Sequence, residues 1–214
     1  MTSDLDLGSL TSGLLAGLGI GVALAGAPGP VQAVILAEAA RGGPGRGLRA
    51  VAGASLSFGT LLVALALGLS FLAVGGTALR VLQVIGGGFL VWMAIDGLRS
   101  APAASGPEPE RRSLPPAVRG SLAVLLNPGA WLFLGAVASP LFGASAEQGG
   151  TPAALVAALA LMAGAASGDA VLAIVAGYGL ARAGQGTAVV IQRLLAVVLA
   201  ALGAWLIVMG VLAW

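Results

Sequence analysis

Two stretches of sequence decide the fold: residues 22–37, which read VALAGAPGPVQAVILA, and residues 120–135, which read GSLAVLLNPGAWLFLG. Each is a long run without charge, interrupted by Pro28-Gly29-Pro30 in the first and by Asn127-Pro128-Gly129 in the second. Proline removes a backbone N–H and clashes with the turn before it, yet apolar sequence resumes after each interruption. Both stretches therefore predict a helix that breaks inside an apolar layer.

The rest of the chain is as apolar as these two stretches. Of the 214 residues, 58% are hydrophobic and only 8% are charged, whereas about a quarter of a typical soluble domain is charged. The 35 glycines are also typical of membrane helices, because small residues let helix backbones approach closely. The composition predicts an all-α, polytopic membrane protein.

Uncharged runs of the length that crosses a bilayer recur along the chain. A helix of about 20 apolar residues spans the hydrocarbon core. The six predicted spans are residues 10–37, 50–79, 81–95, 120–146, 148–181 and 194–214. The third span is short, but it can extend through Leu98.

A segment rich in proline, serine and charge, residues 100–116, divides the spans into two sets of three. This composition is typical of a flexible linker. It separates a first three-helix repeat, residues 1–99, from a second, residues 117–214. Because three is odd, the second repeat enters the membrane from the opposite face. The predicted fold is thus two inverted repeats with broken first and fourth helices, a pattern of secondary transporters.

Arginines segregate to one side of this predicted topology. Nine of the ten lie in or beside the first, third and fifth connections, and only Arg80 lies on the other side. The positive-inside rule predicts that these connections are cytoplasmic, with both termini on the non-cytoplasmic side of the plasma membrane. Since the net charge is only +2, the arginines indicate topology, and we expect no nucleic-acid partner.

The helix breaks predict a substrate site. Backbone N–H groups freed at the start of a second half-helix carry partial positive charge and can bind a carboxylate, and Pro30 and Pro128 suit the first turn there. Gln32 and Asn127 either hydrogen-bond the substrate or satisfy backbone groups that the prolines free. The predicted substrate-binding residues are Pro28, Gly29, Pro30, Gln32, Asn127, Pro128, Gly129 and Asp169.

Asp169 is the charged residue inside the fifth span. Because a carboxylate at membrane depth costs about 2.5–3.5 kcal/mol, we interpret it as the acceptor of a substrate ammonium, the carrier of a coupling proton, or both. The alternative is a carboxylate paired for packing. Glu38 is a second candidate for the coupling ion or proton, although its position one turn before Arg41 favours a salt bridge. Asp96 and Arg99 have the spacing of a structural pair.

The residue types argue against enzymatic chemistry. The chain has no Cys and no His, which removes thiolate nucleophiles, imidazole bases and the usual zinc ligands. A lone aspartate provides no catalytic set, and the sequence has no Walker motif for ATP. We therefore expect no enzyme, no metal site and no cofactor.

The paired motifs resemble the lysine and homoserine exporter family, the LysE-type amino-acid efflux transporters. The matching segments are residues 27–30 (APGP), 41–43 (RGG), 52–54 (AGA), 126–133 (LNPGAWLF) and 139–142 (SPLF). Asp169 matches a position that is often polar or acidic in the family. Val31 and Gln32 stand where many homoserine-type members have an acidic residue, and Gly129 stands where a lysine is common.

The resemblance implies a secondary active exporter of amino acids or related small zwitterions, coupled to a proton or cation gradient. Its partners would be the small-molecule substrate, the lipid bilayer and a second copy of the chain. A metal, inorganic-cation or lipid exporter is the alternative among transporters. A non-transporting membrane scaffold or assembly factor is the alternative of another class.

Overall fold

The computed structural model describes residues 7–68, 76–99 and 114–212, and within these ranges it contains helices and no strand. The helices are α1 (Leu7–Gly26), α2 (Pro30–Ala66), α3 (Gly76–Arg99), α4 (Pro116–Leu125), α5 (Pro128–Phe133), a π-helical turn (Leu134–Ala138), α6 (Ser139–Arg182) and α7 (Gly184–Leu212). The prediction of an all-α protein is confirmed. Parts of the predictions lie outside the described residues: residues 1–6, residues 69–75 of the second predicted span, most of the linker and the last two residues of the sixth span. The predicted end of the second span at residue 79 was wrong, because α2 ends at Ala66 and residues 76–79 begin α3.

The two helix breaks lie at the predicted prolines. After α1 ends, Gly29 adopts an extended backbone with φ −164° and ψ −178°, and α2 begins at Pro30. After α4 ends, Asn127 adopts φ −90° and ψ 108°, and α5 begins at Pro128. Proline at the first helical position loses no hydrogen bond, since that N–H has no acceptor in the helix anyway. Proline therefore begins both helices, as predicted.

The two longest helices bend at the same kind of turn. In α2, Gly42 has φ −156° and ψ 28°, and Gly43 has φ 74° and ψ −172°. In α6, Gly149 has φ −140° and ψ 20°, and Gly150 has φ 67° and ψ −169°. The positive φ of the second residue is a conformation that glycine adopts without steric cost. Each turn thus divides one long helix into two straight segments, residues 30–41 and 44–66 in α2, and residues 139–148 and 151–182 in α6.

Among the described residues, four helices are long and apolar enough to cross a membrane. They are Pro30–Ala66, Thr77–Arg99, Pro128–Leu180 and Val189–Leu212, and the shorter apolar helices are Leu10–Gly26 and Pro116–Leu125. A straight helix of 53 residues would extend about 80 Å, far beyond the roughly 30 Å of hydrocarbon. The glycine turn in α6 therefore has to divide the longest of them. The chain is a multi-pass membrane protein.

Glycines bring several pairs of helices into backbone contact. Gly21 of α1 faces the backbone of Leu161 in α6, Gly53 of α2 faces Ala117 in α4, and Gly87 of α3 faces Gly203 in α7. At these three positions a Cβ would meet a backbone oxygen of the neighbouring helix. Gly177 of α6 likewise faces the backbone of Pro44 in α2. This is the close packing by which small residues join membrane helices, and it pairs α6 with both α1 and α2, α2 with α4, and α3 with α7.

Candidate functional site

A cavity of about 250 Å³ lies where the two helix breaks meet. It is lined by both breaks and by parts of α1, α2, α4, α5 and α6. Of the predicted site residues, the lining includes Pro28, Gly29, Pro30, Gln32, Asn127, Gly129 and Asp169. Pro128 is buried at the start of α5 and is not part of the lining. The volume is slightly below the range of pockets for drug-sized ligands, so the cavity suits a smaller molecule.

Each break lies about three helical turns from a helix end that carries an arginine. The two breaks meet because these distances are similar. Residues 30–41 run from the first break to Arg41, and the ten residues of α4, which include Arg119, run up to the second break. The bend at Gly42 and Gly43 then returns the chain as residues 44–66, which pack against α4. The two breaks therefore line one shared cavity.

Asp169 is the ionisable residue among the described residues that line the cavity. It is 7% exposed, and its Oδ1 accepts a hydrogen bond of 3.3 Å from Nε2 of Gln32. The ion pairs found among the described residues do not include Asp169. A neutral amide orients a carboxylate without cancelling its charge, so the charge of Asp169 is available to a cation in the cavity.

The start of α2 presents backbone donors to the same cavity. Gly29 provides no side-chain cap, and its carbonyl accepts the N–H of Ala33 at 3.0 Å. The N–H groups of Val31 and Gln32 precede the first helical hydrogen bond, so the helix supplies no acceptor for them. Both residues line the cavity. The helix start therefore offers partial positive charge and two donors to an anionic group.

The second break satisfies its own backbone groups. Oδ1 of Asn127 accepts the N–H of Gly129 at 3.0 Å, and the carbonyl of Leu125 accepts Nε1 of Trp131 at 2.9 Å. The oxygen of Asn127 thus caps α5, one of the two roles predicted for it. Of the two helix starts at the cavity, the one at Pro30 is the one without a side-chain cap.

Glu38 lies outside the cavity lining, in a buried cluster of charges. It is fully buried, and it bonds Arg46 Nε at 2.7 Å and Arg119 Nη1 at 3.0 Å. Arg41 Nη1 lies 3.7 Å from its Oε1, which confirms the predicted salt bridge. The cluster lies on α2 about two turns beyond Gln32, toward the end of the helix that carries Arg41. We call these residues, together with Asp96, the charge cluster.

Asp96 has partners that the sequence spacing did not indicate. Its Oδ2 accepts Arg41 Nη1 at 2.8 Å and Arg119 Nη2 at 2.6 Å. Arg119, which we had assigned to a connection, lies in α4 and is fully buried. Its guanidinium also lies 5.3 Å from the ring centre of Trp92, within the range of a cation–π interaction. The cluster therefore joins α2, α3 and α4.

Sequence reasoning did not identify the apolar part of the cavity. Phe58, Phe133 and Met162 line it together with Ser55, and the two phenylalanine rings lie 6.0 Å apart. These residues stand in helices that are apolar throughout, so no pattern separates cavity-facing from lipid-facing positions. The family motif at residues 126–133 contains Phe133, and this was the signal from which that part of the lining could have been predicted.

Two broken helices around a shared cavity, in a bundle of apolar helices, define the class: a helical membrane protein built as a transporter. The family of LysE type translocators matches residues 22–210 of the chain. The chain belongs to this family, which confirms the resemblance found in the sequence. It is therefore a membrane exporter of small molecules, from a family of transporters and not of enzymes. None of the curated proteins and none of the solved structures matches the chain.

Proposed function

We propose that this protein is a secondary active exporter of amino acids or related small zwitterions across the plasma membrane, driven by a proton or cation gradient. One observation carries the proposal. The cavity brings the carboxylate of Asp169 together with the uncapped start of α2 at Pro30. The carboxylate can bind the ammonium of a zwitterionic amino acid, and the backbone N–H groups at the helix start can bind its carboxylate.

Each end of the zwitterion has a partner. The substrate ammonium binds Asp169, and the substrate carboxylate binds the N–H groups of Val31 and Gln32, where the helix dipole also favours negative charge. Gln32 donates to Asp169 and holds the carboxylate in the cavity. Hydrogen bonds to charged groups are stronger than those between neutral groups, so this arrangement selects against molecules that lack either charge.

Coupling rests on Asp169 in this proposal. A proton and a substrate ammonium compete for the same carboxylate, so protonation from one side releases the substrate and deprotonation on the other prepares the site again. Glu38 is the weaker candidate, because guanidinium groups of Arg41, Arg46 and Arg119 surround it and it lies outside the cavity lining. Glu38 accordingly holds helices together in this scheme.

The proposed topology has six spans in two inverted repeats. The broken spans are α1 with residues 30–41, and α4 with residues 128–148; the others are residues 44–66, α3, residues 151–182 and α7. The near-identical glycine turns at the end of each broken span support the repeat, and the segregation of arginines supports cytoplasmic first, third and fifth connections. The family resemblance adds a homodimer, which light scattering of the purified protein would detect.

The test is flux in proteoliposomes that contain the purified protein. A panel of labelled amino acids is offered with an imposed pH gradient, with the wild type and with Asp169→Asn. Saturable, gradient-dependent flux that is lost in Asp169→Asn is the expected result, and Glu147→Gln, which neutralises an exposed carboxylate, serves as the matched control.

Two results would contradict the proposal. Normal proton-coupled flux in Asp169→Asn would remove the carboxylate from the mechanism. No flux of any amino acid through verifiably inserted protein would favour metal, inorganic-cation or lipid export, and after those a non-transporting scaffold.

A further inference from the structure

We propose that the substrate carries an uncharged, apolar side chain, and that Phe58, Phe133 and Met162 are the residues that select it. This inference rests on the proposed function and specifies its substrate class. It follows from the distribution of polar and apolar groups within the cavity.

The cavity has a polar end and an apolar end along α6. Met162, Ala165, Ala166 and Asp169 all line it, and their spacing of three, four and seven residues places them on one face of the helix. Met162 lies seven residues before Asp169, or about 10 Å along the helix axis. An amino acid whose ammonium binds Asp169 therefore directs its side chain toward Met162.

Two aromatic rings complete the apolar end. Phe58 follows Ala54 by one helical turn in α2, and Phe133 follows Gly129 by one turn in α5. The ring centroids are 6.0 Å apart at an interplanar angle of 48°. Phe58 is 8% exposed, so it is a fixed part of the wall. The two rings and the thioether of Met162 form a slot in which contact with a hydrocarbon or thioether side chain of the substrate is favourable.

A glycine sets the position of the thioether. A Cβ at Gly59 would meet the sulfur of Met162, so the absence of a side chain at Gly59 lets Met162 lie across α2. Ala54 and Ala165, which also line the cavity, are small and leave space between the polar and apolar ends. The cavity is thereby long enough for an amino acid of moderate size.

The charges of the lining exclude substrates with a second charge. Asp169 is the ionisable residue among the described residues of the lining, so it can balance one cation. The second ammonium of a lysine-like substrate would lie among Phe58, Phe133 and Met162. There the favourable free energy of a cation–π interaction is smaller than the free-energy cost of removing the ammonium from water. A second substrate carboxylate would add a like charge to a site that already contains Asp169. Both kinds of substrate are therefore disfavoured.

The first test is competition in the wild-type protein, with labelled leucine exchanged across proteoliposomes. We expect unlabelled leucine, methionine and phenylalanine to inhibit at concentrations roughly tenfold or more below those of serine, lysine and glutamate, because loss of apolar contact in a fitted pocket commonly changes selectivity by that much. Exchange of amino acids without this preference would overturn the inference and leave the proposed function intact. No exchange, with each amino acid of this panel labelled in turn, would overturn both.

The second test changes the selecting residues. Met162→Glu places a carboxylate at the apolar end and should raise the preference for lysine over leucine by roughly tenfold or more; Met162→Gln, of the same shape and no charge, should not. Phe133→Ala enlarges the slot and should shift preference from leucine toward tryptophan, and it remains informative if Met162→Glu fails to fold.

A lipid-facing substitution supplies the control for these variants. Leu159→Ala changes an exposed residue on α6, outside the cavity, and should leave the selectivity as in the wild type. Folded Phe133→Ala protein with wild-type selectivity toward the whole panel, or folded Met162→Glu protein with no greater preference for lysine than Met162→Gln, would assign the choice of substrate to residues other than these three.

Discussion

Two buried carboxylates on neighbouring parts of this molecule have opposite surroundings. Glu38 is fully buried and meets the guanidinium groups of Arg46 and Arg119 at 2.7 and 3.0 Å. Asp169 is almost as buried, at 7% exposed, and its hydrogen-bond partner is the neutral amide of Gln32. The charge of Glu38 is thus balanced by arginines, and the charge of Asp169 is left available. Glu38 therefore holds helices together, whereas Asp169 has the surroundings that the proposed binding of a substrate ammonium requires.

The largest expected effect follows from removing the shared cation of the charge cluster. Arg119→Met leaves the buried Glu38 and the partly buried Asp96 with fewer positive partners, and breaking a buried pair such as Arg119 and Glu38 costs about 3–5 kcal/mol. We expect a large fall in the thermal stability of the detergent-solubilised protein, measured by loss of helical circular dichroism or by aggregation on heating. Arg49→Met, at an exposed arginine of α2, is the control. Equal stability of the two variants would show that the cluster is not structural.

The second prediction neutralises the other carboxylate. Asp169→Asn removes a charged hydrogen-bond acceptor worth about 1.5–3 kcal/mol to a bound ammonium, which corresponds to a roughly 10- to 100-fold weaker substrate affinity. The melting temperature should stay near that of the wild type, because Asn can still accept from Gln32. A loss of stability as large as that of Arg119→Met would contradict the distinction drawn between the two carboxylates.

The third prediction concerns the amide that orients Asp169. Gln32→Leu removes the amide that orients Asp169 but leaves the carboxylate that binds the substrate ammonium, so the loss of affinity should be smaller than in Asp169→Asn, about 0.5–1.5 kcal/mol or roughly 2- to 10-fold. Equilibrium binding or half-saturation of flux measures the change. Gln148→Leu, at an exposed glutamine of α6, should leave affinity unchanged. An effect of Gln32→Leu as large as that of Asp169→Asn would mean that Gln32 contacts the substrate as strongly as the carboxylate does.

The smallest effect is expected at the second helix break. Asn127→Ala removes the side-chain cap of α5, which costs about 1 kcal/mol, and should lower thermal stability slightly. Affinity should change less than in Gln32→Leu, because the oxygen of Asn127 is engaged by the N–H of Gly129. Affinity lost at constant stability would instead assign Asn127 to substrate binding.

The helix breaks and the polar residues of the cavity could be predicted because each has a strong local cause. Proline removes a hydrogen bond wherever it stands, so Pro30 and Pro128 marked the breaks, and a charge such as Asp169 stands out in an apolar run. The hydrogen bond between Gln32 and Asp169 joins residues 137 positions apart. Only the packing of α2 against α6 brings them together, so the sequence named both residues but not their contact.

The apolar wall and the charge cluster could not be predicted, for two different physical reasons. Phe58 and Met162 are apolar residues in apolar helices, and their composition is the same whether they face lipid, core or cavity. Arg119 stands beside the charged linker in sequence, so it was interpreted as an arginine of a connection. Its burial depends on Glu38 and Asp96, which belong to other helices, and no local pattern encodes such a contact.

The backbone contacts made by Gly21 and Gly53 have a mechanical consequence. Helices whose main chains touch cannot tilt apart without opening a gap that no side chain fills. Gly177 of α6 makes the same kind of contact with the backbone of Pro44 in α2, so the wall that carries Asp169 and the wall that carries Phe58 are tied together at one end. We therefore expect any change in the opening of the cavity to pivot about this contact, with the non-helical residues at 27–29 and 126–127 taking up the movement, and not to separate two independent halves.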